Sequence, residues 1–379
     1  MQSKNTSYKF SAIYFFFYYG LGAILPLFAL YLESIGLTGT QIGSITALGS
    51  LIGIFSGPIF AYTSDRFKAH KPILICLFIG VMITTFLLTQ VTSYRLLLII
   101  LTFYYLFLQP LNPLLDGITL HASLPFGKIR LWGSVGFAIA AFITSMIAAR
   151  TSLVIAFYIL IITLLISLAF ILTTSMTITD DEGVNLRQLL TLLTNKKFLI
   201  FVTYGMLLSS TIGGMNNYFG LYFKSIGGNI SLVGLAFLLF ALSEVPFMQI
   251  LGKYLLRHGP YKMLILAPIL GILRWGFYSF GPSPLLILLT FPLQGLFYAP
   301  ILLGSAEYIR LEFPANLRTT GIALYTSLGF GLGGIIANSL SGYLYEHYTA
   351  NTIFIAYTLL CLLALFFTPS INRTRTHNI

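Results

Sequence analysis

Twelve apolar runs follow one another along this chain, and each has about the 20 residues that a helix needs to cross a bilayer. Hydrophobic residues make up 57% of the sequence and charged residues 8%, so too few polar side chains remain to cover a soluble surface. The pattern predicts an all-α polytopic membrane protein with twelve transmembrane helices. The runs are approximately 9–32, 40–62, 72–91, 96–118, 130–149, 153–174, 198–222, 231–252, 262–281, 285–308, 318–343 and 352–369.

The first run is too long for the apolar core of a signal peptide and lacks a small-residue cleavage site, so it is predicted to be the first span. The two cysteines, Cys76 and Cys361, both fall inside apolar runs. Their positions give neither a disulfide framework nor a metal-ligand spacing. We therefore expect no metal and no cofactor.

The net charge is +11, and the positions of the Lys and Arg residues follow the predicted membrane topology. If the N-terminus is inside, the outer segments carry only Arg95, Arg150 and Lys224, while Arg274 lies within a span and all other Lys and Arg residues lie on the inner side. This asymmetry follows the positive-inside rule and predicts a multi-pass protein of the bacterial cytoplasmic membrane with both termini in the cytoplasm. The cations are thus explained without a nucleic-acid partner. The face opposite the termini is called the predicted outer face below.

The chain contains an internal repeat. Residues 31–43, YLESIGLTGTQIG, align without gaps on residues 222–234, YFKSIGGNISLVG, at an offset of 191. A period near half the chain length predicts two pseudo-symmetric six-helix bundles, residues 1–174 and 198–379. Secondary transporters place duplicated bundles around a substrate site near the membrane midplane.

Residues 175–197 are predicted to be a cytoplasmic linker. This segment holds the acidic cluster Asp180, Asp181 and Glu182, followed by the amphipathic stretch LRQLLTLLT. Such a stretch is typical of a helix that lies along a membrane surface. The linker is interpreted as a solvated tether, with regulation as the alternative.

Two charges lie near the middle of apolar runs in the second half, Glu244 and Arg274. A charge at bilayer depth costs at least ~3 kcal/mol, so it is expected to face a cavity or a partner. Their estimated depths differ by less than the reach of an arginine, so the two side chains can pair. A carboxyl in low dielectric retains its proton, whereas a neighbouring guanidinium favours the carboxylate, and proton coupling needs a group between these limits. Alternatives are a permanent ion pair, or an Arg274 that binds a substrate carboxylate.

A second pair, Asp116 and Arg130, flanks the loop between the fourth and fifth spans near the inner face. Asn112 lies one helical turn before Asp116, between Pro110 and Pro113, where prolines permit a bend. We hypothesise an inner gate that closes when this pair forms. A static anchor for the loop is the alternative.

Further polar and aromatic residues within the spans are candidates for solute binding. Interhelical hydrogen bonds are the alternative for the asparagines, packing is favoured for Trp275, and a local pair of Glu307 with Arg310 or Arg318 is favoured over a gating role. The substrate-binding candidates are Arg274, Asn216, Asn217, Tyr218, Gln294, Tyr298, Tyr18, Tyr19 and Trp132, and the gating candidates are Asp116, Arg130, Asn112, Asp65, Arg66 and Glu307.

The chain resembles the major facilitator superfamily over essentially its whole length. The loop TSDRFKAHK (63–71) looks like that superfamily's signature loop, with Asp65 and Arg66 matching and Ala61 and Lys68 where glycines are usual. Other motifs are similar to the phenylpropionate permease branch, which is related to oligosaccharide:proton and nucleoside:proton symporters. They are YYGLGAILPLFALYLESIGLTGTQIG (18–43), GKIRLWGSVGF (127–137), ALSEVPF (241–247), LRWGFYSF (273–280) and the 324–346 stretch that ends in GYLYE.

The resemblance implies the major facilitator fold and alternating access driven by the proton gradient. By position, Glu244 matches the family's acidic residue in helix eight, and Arg274 matches the arginine in helix nine. Related symporters often carry a histidine in helix ten, where this chain has Gln294, Tyr298 and Leu302. The predicted function is a proton-coupled symporter that imports a small organic solute (an aromatic acid, a sugar or a nucleoside) as a monomer surrounded by membrane lipid.

Three alternatives remain open, one of the same fold and two from other functional classes. A drug:proton antiporter of the same fold would bind lipophilic cations, which the arginine disfavours. A membrane-embedded enzyme would need catalytic polar residues clustered at one membrane face, whereas the five histidines are scattered. A sensor would be expected to carry an output domain.

Overall fold

The structure, a computed structural model, describes residues 2–122, 124–174 and 191–372. These residues form long helices joined by short turns. Residues 175–190 of the predicted linker, with its acidic cluster, lie outside the described residues. The helices are α1 Gln2–Ile24, α2 Phe28–Ser34, α3 Gly39–Arg66, α4 His70–Leu88, α5 Tyr94–Leu108, α6 Leu111–His121, α7 Phe126–Arg150, α8 Ile155–Leu172, α9 Lys196–Ser225, α10 Ile230–His258, α11 Pro260–Ser279, α12 Pro284–Thr290, α13 Leu293–Glu312, α14 Ala315–His347 and α15 Thr352–Asn372.

Within the described residues, ten helical segments are long and apolar enough to cross a membrane, and eleven if the bent pair α12–α13 counts as one span. The remaining predicted run corresponds to α11. With 20 residues, this helix reaches about 30 Å at its rise per residue, enough for the hydrocarbon core. Two charged residues, Lys262 and Arg274, lie within it. The polytopic all-α fold is confirmed.

Proline breaks three of the predicted spans into two helices each. The breaks lie at Pro26 between α1 and α2, at Pro110 between α5 and α6, and at Pro292 between α12 and α13, where the bend is 40°. Proline lacks an N–H and its ring clashes with the preceding turn, so the helical hydrogen bonding is interrupted there.

The repeated segments adopt the same local structure. Gly36 and Gly227, at equivalent positions, end their helices with φ values of 92° and 86°, a region that favours glycine. The hydroxyl of Tyr31 donates to the carbonyl of Leu88 at 3.0 Å, and that of the equivalent Tyr222 donates to the carbonyl of Tyr278 at 3.1 Å. These matches support the repeat, and the division of the chain into two bundles at 174 and 198 stays a prediction.

Helices from the first six spans pack against helices from the last six in three places: α3 against α14, α7 against α10, and α2 against α9. Small residues allow the close approach. A Cβ at Gly43 would lie 2.6 Å from the Asn338 oxygen, and one at Gly39 would lie 2.6 Å from the Gly342 oxygen. Both contacts lie toward the predicted outer face, so the bundle is closed at that face.

Candidate functional site

An ion pair joins α6 and α7 near their adjoining ends. The Nε of Arg130 lies 3.9 Å from Oδ1 of Asp116, and both side chains are about one-third exposed. The same carboxylate accepts a hydrogen bond from the hydroxyl of Tyr14 at 2.7 Å. The guanidinium of Arg130 lies 4.2 Å above the ring of Tyr18, whose hydroxyl donates to Asn112. The predicted pairing of Asp116 with Arg130 is therefore present, and α1 supplies two tyrosines that hold it.

Glu244 of α10 faces this same cluster. It is partly buried, and Arg130 is the cation that acts electrostatically on it. Both charges also act on the hydroxyl of Tyr298 in α13. A carboxylate from the last six spans thus lies in the field of a guanidinium from the first six.

Arg274 is turned into the interior of the last six spans. Its side chain is 6% exposed, donates to Oε1 of Gln294 and to the Tyr278 hydroxyl (3.5 Å), and lies 4.7 Å from the Trp275 ring. The described ion pairs do not include Arg274 with Glu244. The ion pair between Glu244 and Arg274 that their estimated depths allowed is absent from this conformation. The guanidinium of Arg274 donates a hydrogen bond to Gln294 instead.

A central cavity of about 340 Å³ opens between α1, α3, α5, α6 and α9. Its polar lining is supplied by hydroxyls and carboxamides, and none of the Asp, Glu, Lys or Arg side chains that the structure describes lines it. A smaller cavity of about 210 Å³ adjoins it, shares Ser50 and Gln109, and extends to Thr326 and Ser327 of α14. The polar residues of the central cavity are Thr46, Ser50, Tyr104, Tyr105, Gln109, Asn112, Asn216 and Asn217.

Two of the predicted solute-binding residues, Asn216 and Asn217, line the central cavity, and so does the gating candidate Asn112. Tyr18 borders it through its hydrogen bond to Asn112. Tyr298 lies beside the Glu244 and Arg130 charges instead.

The other predicted solute-binding residues lie away from this cavity. Tyr218 is 2% exposed and donates to the carbonyl of Gly39, since it lies about 100° around the helix from Asn217. Arg274 and Gln294 contact each other in the packed interior. Trp132 is 49% exposed in a groove on the outside of α7, and Tyr19 packs against Phe15.

The remaining gating candidates make local contacts. Glu307 accepts a hydrogen bond from Nε of Arg310, three residues along α13, at 2.6 Å. Arg66 donates to the hydroxyl of Tyr62, one turn earlier in α3, at 3.1 Å. The side chain of Asp65 lies outside the described part of the structure. Neither contact joins the first six spans to the last six.

Sequence reasoning missed Tyr14 and the cavity residues Thr46, Ser50 and Gln109. Tyr14 lies one helical turn before Tyr18, so the spacing that places both on one face of α1 was available as a signal. Gln109 directly precedes Pro110 at the break in the fourth span, where a polar residue marks the bend.

The family model described as the MFS_1 like family matches residues 7–356. This chain belongs to that family. Full-length relatives are a maltose permease from Geobacillus stearothermophilus, 27% identical over 92% of this chain and 90% of the relative, and a probable 3-phenylpropionic acid transporter from Escherichia coli (strain K12), 26% identical over 94% and 96%. This chain also has the fold seen in a crystal structure of the nucleoside transporter NupG. The TM-score is 0.87, with 18% identity over 98% of this chain and 100% of that one.

These matches confirm the resemblance to the major facilitator superfamily and its phenylpropionate permease-like branch. The relatives are permeases and transporters rather than enzymes. This chain is therefore a multi-pass membrane transporter that acts on a small molecule.

Proposed function

We propose that this transporter is a proton-coupled symporter that imports a neutral, hydroxylated solute. The observation that carries the solute class is the central cavity, which is lined by carboxamides, hydroxyls and tyrosines but by no charged side chain. Carboxamides both donate and accept hydrogen bonds, as do the hydroxyl groups of a sugar or a ribose. The maltose permease among its relatives supports a sugar, whereas the probable 3-phenylpropionic acid transporter supports an aromatic acid, so the choice rests on the cavity.

Glu244 is proposed as the proton-carrying group. It is the carboxyl of the last six spans that lies in the field of Arg130 from the first six, outside the solute cavity itself. When Glu244 is protonated, Arg130 pairs with Asp116 alone. When Glu244 is ionised, it competes with Asp116 for the same guanidinium. Because a guanidinium favours the ionised form of a nearby carboxyl, a change in the distance between Glu244 and Arg130 as the bundles rock would change whether Glu244 holds its proton.

The membrane arrangement is part of the proposal. Both termini are placed in the cytoplasm of a bacterial cell, in agreement with the distribution of Lys and Arg, and the two six-helix bundles are taken as the units that rock. The transporter is proposed to act as a monomer.

The coupling proposal is tested with Glu244→Gln in proteoliposomes. We expect uptake driven by an imposed pH gradient to be lost, while solute exchange without a gradient continues, because exchange needs binding and rocking but no net proton release. Glu307→Gln, which removes a carboxylate that pairs locally with Arg310, is the matched control and should retain gradient-driven uptake. Gradient-driven uptake by Glu244→Gln at the wild-type rate would exclude Glu244 as the coupling residue.

The solute class is tested by thermal shift of the purified protein against disaccharides, nucleosides and aromatic carboxylates. Stabilisation by a neutral hydroxylated compound is expected. Stabilisation by aromatic carboxylates alone would show that the cavity has been assigned to the wrong class.

A further inference from the structure

An ion pair at the predicted outer face joins the first six spans to the last six. The Nζ of Lys224, in the last turn of α9, lies 2.6 Å from Oε2 of Glu33, in the last turn of α2. The other oxygen of this carboxylate accepts a hydrogen bond from the hydroxyl of Tyr345 in α14 at 2.7 Å. Glu33 therefore ties one helix of the first six spans to two helices of the last six.

Glu33 and Lys224 occupy equivalent positions in the internal repeat, since YLESIG at 31–36 aligns with YFKSIG at 222–227. Where two repeats are related by a two-fold axis, equivalent residues can meet only on that axis. An identical charged residue in both repeats would place like charges together there. This chain instead has opposite charges at the two positions, which makes the contact attractive.

A second contact flanks this pair on the same face. The carboxylate of Glu346, at the end of α14, accepts a hydrogen bond from the backbone N–H of Thr40 at the start of α3 at 2.7 Å. Beside it, Gly39 and Gly342 bring the two helices into backbone contact. Any separation of the first six spans from the last six at this face must break both contacts.

We infer that the Glu33–Lys224 pair, held by Tyr345, is a latch that keeps the outer face closed and is broken each time the transporter opens outward. The two side chains are 25% and 52% exposed, so water and salt reach them. Exposed pairs are weak, which suits a contact that must open and close in every cycle. The inference stands on the transporter assignment alone and requires neither the proposed proton coupling nor the proposed solute.

Charge exchange between the two positions tests the latch. Spin labels at Arg150→Cys and Tyr348→Cys, exposed at the predicted outer ends of α7 and α14, would report the separation of the two sets of helices in a Cys76→Ser background. We expect Glu33→Lys and Lys224→Glu, each alone, to increase the fraction of long distances several-fold. The double exchange should return the distribution to that of the wild type. Lys196→Glu, at the opposite end of α9, is the matched control and should have no effect.

Salt provides a second measurement that does not depend on whether the reversal variants fold. The Debye length falls from about 30 Å at 0.01 M to about 3 Å at 1 M salt, so an exposed pair is screened over this range. The long-distance fraction should rise with salt in the wild type and stay constant in the neutral double variant Glu33→Gln with Lys224→Gln. The inference would be overturned if the distance distribution changed neither with salt nor in the single charge-reversal variants. It would also be overturned if the distribution of the double exchange were no closer to that of the wild type than those of the single variants.

Discussion

At the scale of single residues, the adjacent residues Asn217 and Tyr218 separate the proposed solute cavity from the packed interior. Asn217 lines the central cavity and donates to Asn338, whereas Tyr218 is buried against the backbone of Gly39. We expect Asn217→Ala to weaken solute binding about tenfold, which corresponds to ~1.4 kcal/mol for one lost hydrogen bond. Tyr218→Phe should leave the dissociation constant unchanged and lower stability by about 1 kcal/mol. Isothermal titration and thermal unfolding of both variants would check this, and equal losses of affinity would contradict the assignment.

A second residue-scale prediction concerns the buried guanidinium of Arg274. Its acceptor Gln294 is 1% exposed, and the Nε of Arg274 already lacks a partner. Gln294→Ala should therefore destabilise the protein by about 1–3 kcal/mol, because a buried charge loses a hydrogen bond that water does not replace. Thermal unfolding in detergent is the measurement, with Gln90→Ala, an exposed carboxamide at the outer end of α4, as control. Equal melting temperatures for the two variants would show that Gln294 does not support Arg274.

The contacts of these residues show where sequence reasoning stopped. Counting residues from the helix ends gave depths for Glu244 and Arg274 but no direction around the helix. In the structure, Ser243 rather than Glu244 packs against Gly295 of α13, and Glu244 lies in the field of Arg130. Neighbouring residues differ by about 100° in direction, so a boundary error of one residue changes which side chain meets which partner.

At the scale of elements, the closeness of α3 and α14 depends on glycine. A Cβ at Gly342 would lie 2.8 Å from the Cα of Gly43, a separation that forces the helices apart. Gly342→Ala should therefore shift the transporter toward an open outer face, seen as increased labelling of Ser50→Cys by a thiol reagent added from outside. Gly117→Ala, where an added Cβ meets nothing within 4 Å, should leave the labelling unchanged. Unchanged labelling in Gly342→Ala would show that the close approach is not needed for closure.

Elements were the part of the structure most accessible from sequence. The apolar runs located the spans. The YLESIG and YFKSIG segments, which predicted an internal repeat, have matching glycine turns and tyrosine hydrogen bonds in the structure. The breaks were less accessible. Pro110 and Pro292 interrupt their spans, whereas Pro246 and Pro268 lie within continuous helices. Whether a proline breaks a helix depends on neighbouring helices that re-satisfy the freed carbonyls, and a single sequence does not supply these contacts.

At the scale of the whole molecule, two kinds of contact are present. The predicted outer face is closed by contacts of Glu33, Lys224 and Glu346, while Glu244 lies in the electrostatic field of Arg130. In the proposed mechanism, the first set of contacts sets which side is open, and the second responds to protonation. Such a separation would allow a proton to bias the rocking of the bundles without itself contacting the solute.

The central claim is that solute and proton move together through Glu244. It is tested most directly by adding the solute identified by thermal shift to de-energised vesicles and following the external pH. The account predicts that the wild type makes the medium alkaline as solute enters, and that Glu244→Gln, which still exchanges solute, produces no pH change. Solute entry by the wild type without a pH change, or an undiminished change in Glu244→Gln, would contradict it.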